Sequence, residues 1–248
     1  MIFKPSRTSM LISFLFLIII SQGILAQQHE KANSEPAVVA PGIRRGPPSD
    51  AIVLFDRDTL DQWRSVQTGG AAQWNVTGDK FTVKPGAGNI ETKEIFGDCQ
   101  LHIEWKTPKK DVYEGKKGQQ NGNSGIYFMS KYEIQVLNSF RNPSGNTGQA
   151  GAYYGHTPPL VNASKPEGKW QVYDIIFEAP EWNGNDSLVK PGYITVFHNG
   201  VLVQNHTEII APTASHNESY SLDSGELPLM LQEHKNEVSY RNIWIRKL

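Results

Sequence analysis

The stretch YITVFHNGVLVQN, residues 193–205, decides the fold class of this 248-residue chain. Two runs of alternating apolar and polar side chains are separated by Asn199 and Gly200. Asn-Gly supplies the two positive-φ residues that a two-residue hairpin turn requires. Alternation with a period of two places one face of each strand against a core. The stretch therefore predicts an antiparallel β-hairpin.

The same alternation recurs along the rest of the chain. In QLHIEWKTP, residues 100–108, one face carries Leu101, Ile103 and Trp105, and the other carries His102, Glu104 and Lys106. The segments KFTVKPG, QVYDIIFEAP, LPLMLQEH and VSYRNIWIRKL continue the pattern, and most of the 22 Gly and 15 Pro lie between such stretches. Many short strands without a helical period are typical of an all-β, two-sheet antiparallel sandwich.

The N-terminal segment, residues 1–26, is typical of an export signal. Lys4 and Arg7 precede an apolar run, MLISFLFLIII at residues 10–20, and Ala26 follows at a suitable cleavage point. The run is shorter than the roughly 20 residues that a transmembrane helix needs. We therefore expect a secreted or periplasmic protein with no membrane attachment after cleavage.

A flexible linker and one folded domain are predicted after the signal. Residues 27–49 are rich in Pro, Ala and charge and lack periodicity, as linkers do. The domain spans residues 50–248. Cys99 is the lone cysteine, so no intrachain disulfide can form and the hydrophobic core must stabilise the domain.

The charge balance narrows the class of partner. With 24 basic and 25 acidic side chains, the net charge of −1 is unlike that of a nucleic-acid-binding protein. The 6 Trp and 9 Tyr suit a neutral sugar, whose apolar faces stack on aromatic rings.

The stretch NGNSGIYFMSKYEIQVLNSF, residues 121–140, places polar side chains inside an apolar strand. Strand alternation directs Glu133 and Gln135 to the face opposite the apolar residues. Burying them in the core without partners would cost several kcal/mol. We therefore expect a central strand whose Glu133 and Gln135 line an open face and a ligand groove. A solvated glutamate on a flat exterior is the alternative.

The segment EIQVLN, residues 133–138, resembles the active strand E-x-D-x-x-E of sandwich-fold β-glucanases. Gln135 replaces the aspartate and Asn138 replaces the second glutamate. Ordinary glycoside hydrolysis needs two carboxyl groups beside the bond, and an asparagine cannot donate a proton at neutral pH. The strand is therefore not expected to act as in those enzymes.

Nine segments, in order along residues 50–248, resemble the 3-keto-disaccharide hydrolase domain family. They are LFDRDTLDQWR, GDCQLHIEWK, NGNSGIYF, YEIQVLNS, GAYYGHTPP, WQVYDIIFEAP, TVFHNGVLV, LMLQEH and YRNIWIRKL. The resemblance implies a jelly roll of the concanavalin A-like lectin/glucanase type. It also implies an exported enzyme that cleaves sugars already oxidised at C3.

The implied chemistry needs a single base. A ketone at C3 acidifies the proton on C2, and its removal gives an enolate that expels the C1 oxygen by elimination. Water can then add back, so the net outcome is that of a lyase or a hydrolase. The chain has no nicotinamide-binding fingerprint, so a separate oxidoreductase is expected to supply the oxidised (3-keto) glycoside.

Three residues are the catalytic candidates. Glu133 is interpreted as the base, a metal ligand or a clamp on sugar hydroxyls. His234 suits general acid/base work because imidazole titrates near neutral pH. Arg241 could stabilise the enolate oxygen through paired donors, or could form a salt bridge with Glu104 or Glu133.

Seven further residues are the binding candidates. Four amides are proposed to bind hydroxyls, two aromatic residues to stack on sugar, and one histidine to line the groove rim: Asn123, Gln135, Asn138, Gln232, Tyr154, Trp170 and His156. A core position is the alternative for Trp170, since tryptophan in a sandwich is more often a core residue. The histidines show no HxxxH or HxH spacing, so no cofactor is evident, although a divalent ion held by Glu133 and amide oxygens stays open.

A second class of function fits the same residues. A carbohydrate-binding module would share the fold and the groove without turnover, and the missing carboxylate pair favours it.

Overall fold

The computed structural model of the protein describes residues 35–43, 46–109, 117–183, 187–213 and 225–248. The predicted signal, residues 1–26, lies outside the described residues, as does the first part of the predicted linker, residues 27–34. The described residues of the linker form no strand.

Fifteen strands, all paired antiparallel, build the described structure, in which no α-helix occurs. The eight-stranded sheet consists of β1 (Ile52–Phe55), β3 (Asn75–Thr77), β4 (Lys80–Thr82), β6 (Cys99–Lys106), β9 (Gln171–Glu178), β12 (Gly192–His198), β13 (Val201–Ile209) and β15 (Ser239–Lys247). The five-stranded sheet consists of β2 (Trp63–Ser65), β5 (Ile90–Phe96), β7 (Ser124–Phe128), β8 (Tyr132–Val136) and β14 (Leu227–Leu231). A small third sheet pairs β10 (Glu181–Trp182) with β11 (Leu188–Lys190).

The two large sheets form the predicted jelly-roll sandwich. The spatial order is β13-β12-β9-β6-β15-β4-β3 in the eight-stranded sheet, with β1 on β15, and β2-β5-β14-β7-β8 in the five-stranded sheet. Short 3₁₀ turns occur at Gly118–Gln120 and Asn146–Gly148. Within the described ranges, no helix is long and apolar enough to cross a membrane.

The β-hairpin predicted for residues 193–205 is confirmed. Asn199 and Gly200 have φ angles of 54° and 82°, and His198 pairs with Val201 on either side of the turn. The side chain of Asn199 also donates a hydrogen bond of 2.8 Å to the carbonyl oxygen of Ala163. The turn is therefore tied to a neighbouring loop as well as to its own strands.

The core lies between the inner faces of the two sheets. Leu101, Ile103 and Trp105 on β6 are almost fully buried there, as the alternation predicts. Cys99, at the start of β6, is buried in the same cluster, and burial raises the pKa of its thiol to about 12. Cys99 is therefore a packing residue.

Two buried tyrosines connect the sheets by hydrogen bonds. Tyr173 on β9 donates a hydrogen bond of 2.8 Å to the main-chain oxygen of Gln135 on β8. Tyr240 on β15 donates to Ser124 on β7 over 2.7 Å. Buried hydroxyls require such partners. The two bonds therefore fix the position of β7 and β8 above the eight-stranded sheet.

Strand β8 lies at the edge of its sheet, so the expectation of a central strand was wrong. The outer edge of β8 is nevertheless covered by the segment 151–154. Gln135 exchanges main-chain hydrogen bonds with Gly151 and Ala152, each of 3.0 Å, and Tyr154 donates to the oxygen of Glu133 over 3.1 Å. An edge strand can be this apolar because its free backbone groups are paired by a loop.

The inward-pointing side chain of Ile134 on β8 gives a first prediction. Ile134 is fully buried, so Ile134→Ala leaves a cavity and should lower the free energy of unfolding by roughly 2–5 kcal/mol. Ile95→Ala is the matched control, because Ile95 is 43% exposed on the same sheet, and it should cost under about 1 kcal/mol. Denaturant unfolding measures both, and equal losses would contradict the placement of β8.

Candidate active site

Glu133 and Gln135 point away from the core, toward the outer face of the five-stranded sheet. They alternate with core residues along β8, and they pair across the sheet with Tyr127 and Gly125 of β7. Their exposed fractions are only 3% and 1%. The direction of the prediction is therefore right, but the face is covered at these positions and is not open.

Gly125 creates the space that the carboxyl group of Glu133 occupies. A Cβ atom added at Gly125 would lie 2.3 Å from Oε1 of Glu133 and 2.7 Å from Cε2 of Tyr127. Side chains essentially never approach so closely. The absence of a side chain at Gly125 thus lets Glu133 and Tyr127 lie down over the backbone of β7.

Tyr127 and Gln232 hold the carboxyl group in place. The hydroxyl of Tyr127 is hydrogen-bonded to Glu133. It accepts a bond of 3.0 Å from Nε2 of Gln232. The main-chain nitrogen of Gln232 donates to the oxygen of Gly125 over 3.0 Å. Strands β7 and β8 and the residue after β14 therefore build one continuous unit.

Burial raises the pKa of Glu133 to about 7, and the hydrogen bond from Tyr127 only partly opposes this shift. None of the ion pairs between described residues includes Glu133. A desolvated carboxyl group without a cationic partner is the arrangement that keeps a general base poised near neutral pH. The physical cause of the shift is loss of water.

A chain of amides fixes the orientation of Gln135. Nε2 of Gln119 donates to the oxygen of Gly148 over 2.7 Å, so Oε1 of Gln119 is the acceptor. This oxygen receives bonds of 3.0 Å from Nδ2 of Asn123 and 2.8 Å from Nε2 of Gln135. Consequently Oε1 of Gln135 points away from the chain of amides.

Two amide oxygens beside Glu133 are left as acceptors. Oε1 of Gln135 and Oε1 of Gln232 are buried and receive no hydrogen bond from the described protein atoms. A buried acceptor without a donor costs about 1–3 kcal/mol. Hydroxyl groups of a bound sugar are donors of the kind that would pair with them.

The structure brings together five of the predicted site residues, namely Glu133, Gln135, Asn123, Gln232 and Tyr154. The phenol of Tyr154 lies near that of Tyr127, and its Cε2 is 3.9 Å from where a Cβ of Gly148 would lie.

Sequence reasoning missed three residues of the site. A glycine inside a strand signals a close approach, so Gly125 could have been found. Tyr127 lies two residues further on the same face. Gln119 lies in a short 3₁₀ turn and carries no pattern that identifies it.

Arg241 and Trp170 do not belong to this site, and both predictions are corrected. Arg241 lies on β15 of the other sheet, where Nε donates to Glu104 over 2.8 Å. Its guanidinium carbon is 4.1 Å from the ring centroid of Trp170. The salt bridge with Glu104, one of the two options left by the sequence, is the one that forms. A role for Arg241 at the enolate oxygen is inconsistent with this placement.

Asn138 makes no described contact with Glu133. It follows the end of β8, and its Cβ lies 3.5 Å from where a Cβ of Gly122 would be. Its main-chain oxygen accepts a bond of 2.7 Å from Asn142. Asn138 therefore borders the loop that enters β7 and lies outside the described contacts of Glu133.

The two histidine candidates occupy loops. The ring of His156 packs on that of Tyr153, with centroids 4.7 Å apart, in the loop after the segment that covers β8. His234 is exposed, two residues beyond Gln232, and its main-chain oxygen accepts a bond from Asn236. No described contact joins either imidazole to Glu133.

The side chains around Glu133 offer oxygen atoms as possible metal ligands. Within the described ranges, no three His, Cys, Asp or Glu side chains converge as a group of metal ligands. The carboxylate of Glu133 and the amide oxygens of Gln135 and Gln232 are hard donors, of the kind that suits Ca²⁺ or Mg²⁺. A divalent ion at this position stays a proposal.

Comparison with known proteins identifies relatives of the chain. The family model described as a 3-keto-alpha-glucoside-1,2-lyase-like domain matches residues 50–246. A protein from Parabacteroides distasonis ATCC 8503, whose crystal structure at 2.13 Å is described as that of a proposed glycosyl hydrolase, is 42% identical with a TM-score of 0.81, covering 87% of this chain and 93% of its own. A second structure from that organism, at 1.70 Å and with the same description, is 17% identical with a TM-score of 0.57, covering 85% of this chain and 100% of its own, and shows the shared fold alone. No curated protein matched.

The raised pKa of Glu133 predicts how stability depends on pH. Its folded value of about 7 exceeds its ordinary value of 4.5, so the stability is full below about pH 4.5 and is lost as the pH rises through 7. Glu133→Gln should remove this loss and stabilise the protein by roughly 3 kcal/mol at pH 8, with little effect at pH 4. Urea unfolding at the two pH values measures the difference.

Glu208→Gln is the control, because Glu208 is exposed on β13, and it should change stability little at either pH. A Glu133→Gln variant that is less stable than the wild type at pH 8 would contradict a buried, cation-free carboxyl group.

Proposed function

Because the chain belongs to the 3-keto-alpha-glucoside-1,2-lyase-like domain family, we propose that it cleaves the glycosidic bond of 3-keto-glycosides by removing the proton on C2. The family and the 42%-identical relative support carbohydrate-active, glycosidase-type activity. The 3-keto substrate and the enolate route are our proposal.

One observation carries the proposal. A single carboxyl group, Glu133, is buried on an outer sheet face with its pKa raised to about 7, and the same cluster contains two amide oxygens that lack donors, those of Gln135 and Gln232. Hydrolysis by two carboxyl groups would need a partner acid on this face. Among the described residues, Tyr127 is hydrogen-bonded to the carboxyl group of Glu133, and Thr213 and Tyr154 to its main chain, and none of the three supplies a second carboxyl group. Proton abstraction needs only one.

The reaction proceeds in two steps. Glu133 takes the proton from C2, and its electron pair forms an enolate with the C3 carbonyl. The enolate then re-forms the ketone as the C1–O bond breaks, so the leaving group departs with the bonding electrons and an enone remains. Addition of water to the enone completes a net hydrolysis, whereas release of the enone is the lyase outcome.

The surrounding residues orient the base and the sugar. Tyr127, held by Gln232, fixes the carboxyl group of Glu133 by donating to it. The free oxygens of Gln135 and Gln232 accept hydrogen bonds from sugar hydroxyls, which aligns C2 with the base. His234, in the same segment as Gln232, is proposed to protonate the leaving group.

The substrate and the compartment complete the proposal. A separate oxidoreductase supplies the 3-keto-glycoside, and the chain works after export, in the periplasm or outside the cell, following removal of residues 1–26. A divalent ion, where present, would be held by Glu133 with the two amide oxygens and would polarise the carbonyl group.

Turnover of a 3-keto-glycoside is the direct test. The wild type should cleave it, releasing an enone that absorbs in the ultraviolet in the lyase outcome or the hydrated 3-keto sugar in the hydrolase outcome. Glu133→Gln should lower kcat by at least about 100-fold, because general-base catalysis contributes a factor of about 10²–10⁴. Glu208→Gln should keep full activity. Full activity of Glu133→Gln would refute the assignment of the base.

Turnover should also depend on pH in a fixed direction. Only the deprotonated form of Glu133 can accept a proton, so the acid limb of the kcat/KM profile should rise through a pH of about 7, and loss of the proton from the proposed acid His234 would account for any decline at higher pH. Initial rates measured from pH 5 to 9 check this. A value of kcat/KM that does not rise between pH 5 and pH 7 would contradict it.

The alternative is a binding module. The absence of a second carboxyl group among the described contacts of Glu133 favours it. Saturable binding of an unmodified glycoside, with no turnover of its 3-keto form, would support this reading over the enzyme.

A further inference from the structure

A cavity of about 310 Å³ opens on the outer face of the eight-stranded sheet, and Glu133 is not part of its lining. Ser239, the first residue of β15, pairs with Thr82 of β4 on one side and with Lys106 of β6 on the other. The next residue, Tyr240, is a core residue. The row of Thr82, Ser239 and Lys106 therefore faces outward into the cavity.

The cavity gathers positive charge. Its described lining includes Lys80, Lys106 and Lys109, against one carboxylate, that of Glu237. Lys80 and Lys106 are half-buried at strand positions, so the sheet holds the bases of both side chains at the same cavity. Lys109 follows the end of β6 and is exposed. The lining thus carries a net positive charge.

The three lysines do not form ion pairs with described carboxylates. The neighbouring Arg241 differs, because it is paired with Glu104 and Asp79. The ammonium group of Lys106 instead lies 4.6 Å from the ring centroid of Trp170, which restricts its position.

The pKa of Lys106 is consistent with the positive charge of the cavity lining. Burial lowers the pKa of Lys106, and the positive charges of Lys80 and Arg241 lower it further, against an opposing effect of Asp79. Positive charges held together in a cleft raise its electrostatic potential, and the cleft then attracts an anion.

A hydroxyl pair adds neutral donors. Oγ1 of Thr82 and Oγ of Ser239 are 2.9 Å apart, so one hydroxyl donates to the other. The remaining hydroxyl hydrogen has no acceptor among the described contacts. Lys80 also reaches Thr82 over 3.4 Å. Ammonium and hydroxyl donors on one wall suit the oxygens of an oxyanion.

We propose that this cavity is an oxyanion site, formed by Lys80, Lys106 and Lys109 with the hydroxyls of Thr82 and Ser239. Its ligand is a sulfate, phosphate or carboxylate group. That group is either a substituent of a carbohydrate chain or a free inorganic anion. The site is independent of Glu133 and of the reaction proposed there.

Titration calorimetry of the full-length protein with inorganic sulfate, at pH 7 and low ionic strength, tests the proposal. The wild type should bind sulfate, and Lys106→Gln should weaken binding roughly tenfold or more, because a charge-assisted hydrogen bond is lost. Lys93→Gln is the control, since Lys93 is exposed on β5 of the other sheet, and it should leave binding unchanged. Glucose 6-sulfate and glucose are titrated alongside.

Each outcome decides the proposal. Tighter binding of glucose 6-sulfate than of sulfate, lost in Lys106→Gln, supports a carbohydrate substituent, and equal binding of the two supports a free anion. Absence of binding of both sulfate and glucose 6-sulfate, or binding that Lys106→Gln leaves unchanged, overturns the site. Should Lys106→Gln fail to fold, Lys109→Gln replaces it, because an exposed side chain can change without loss of the fold.

Discussion

The removal of water from one carboxyl group governs the rest of the site. Glu133 points out of the sandwich, yet it is covered by Tyr127 and held over the bare backbone of Gly125, so its pKa rises to about 7. The sandwich makes this position rigid, since Tyr173 reaches across the core to the main-chain oxygen of Gln135, the second residue after Glu133. Desolvation and this hydrogen bond across the core support the proposed role of Glu133 as a base near neutral pH.

The outer face of each large sheet carries a desolvated glutamate, and the pKa values of the two glutamates shift in opposite directions. Glu104, on the eight-stranded sheet, is also desolvated, but His102 at 3.9 Å and hydrogen bonds from Arg241 and Asn242 outweigh burial and lower its pKa to about 2. Glu133 contacts a phenol and no described cation, and its pKa moves the other way. When two residues of the same type have pKa values that their environments shift in opposite directions, the two residues serve different roles. Glu104 is a structural anion, and Glu133 is the candidate base.

Much of the fold could be predicted from sequence, because alternation and turn residues are local. The hairpin at Asn199 and the inward and outward faces of β6 are examples. The site was only partly predictable, because the strand order decides which outer face a polar residue shares. Arg241 and Glu133 are both outward-facing, but they lie on different sheets. The position of β8 at a sheet edge, closed by residues 151–154, depends on the same non-local pairing.

The ionisation of Glu133 is the property that tests this description most directly. Carbon-13 NMR of the glutamate carboxyl groups, with Glu133→Gln used to assign the resonance, follows that group alone through a pH titration. A midpoint near 7 agrees with a buried carboxyl group that acts as a base. A midpoint near the ordinary value of 4.5 would contradict it, because the group would then be solvated or paired with a cation.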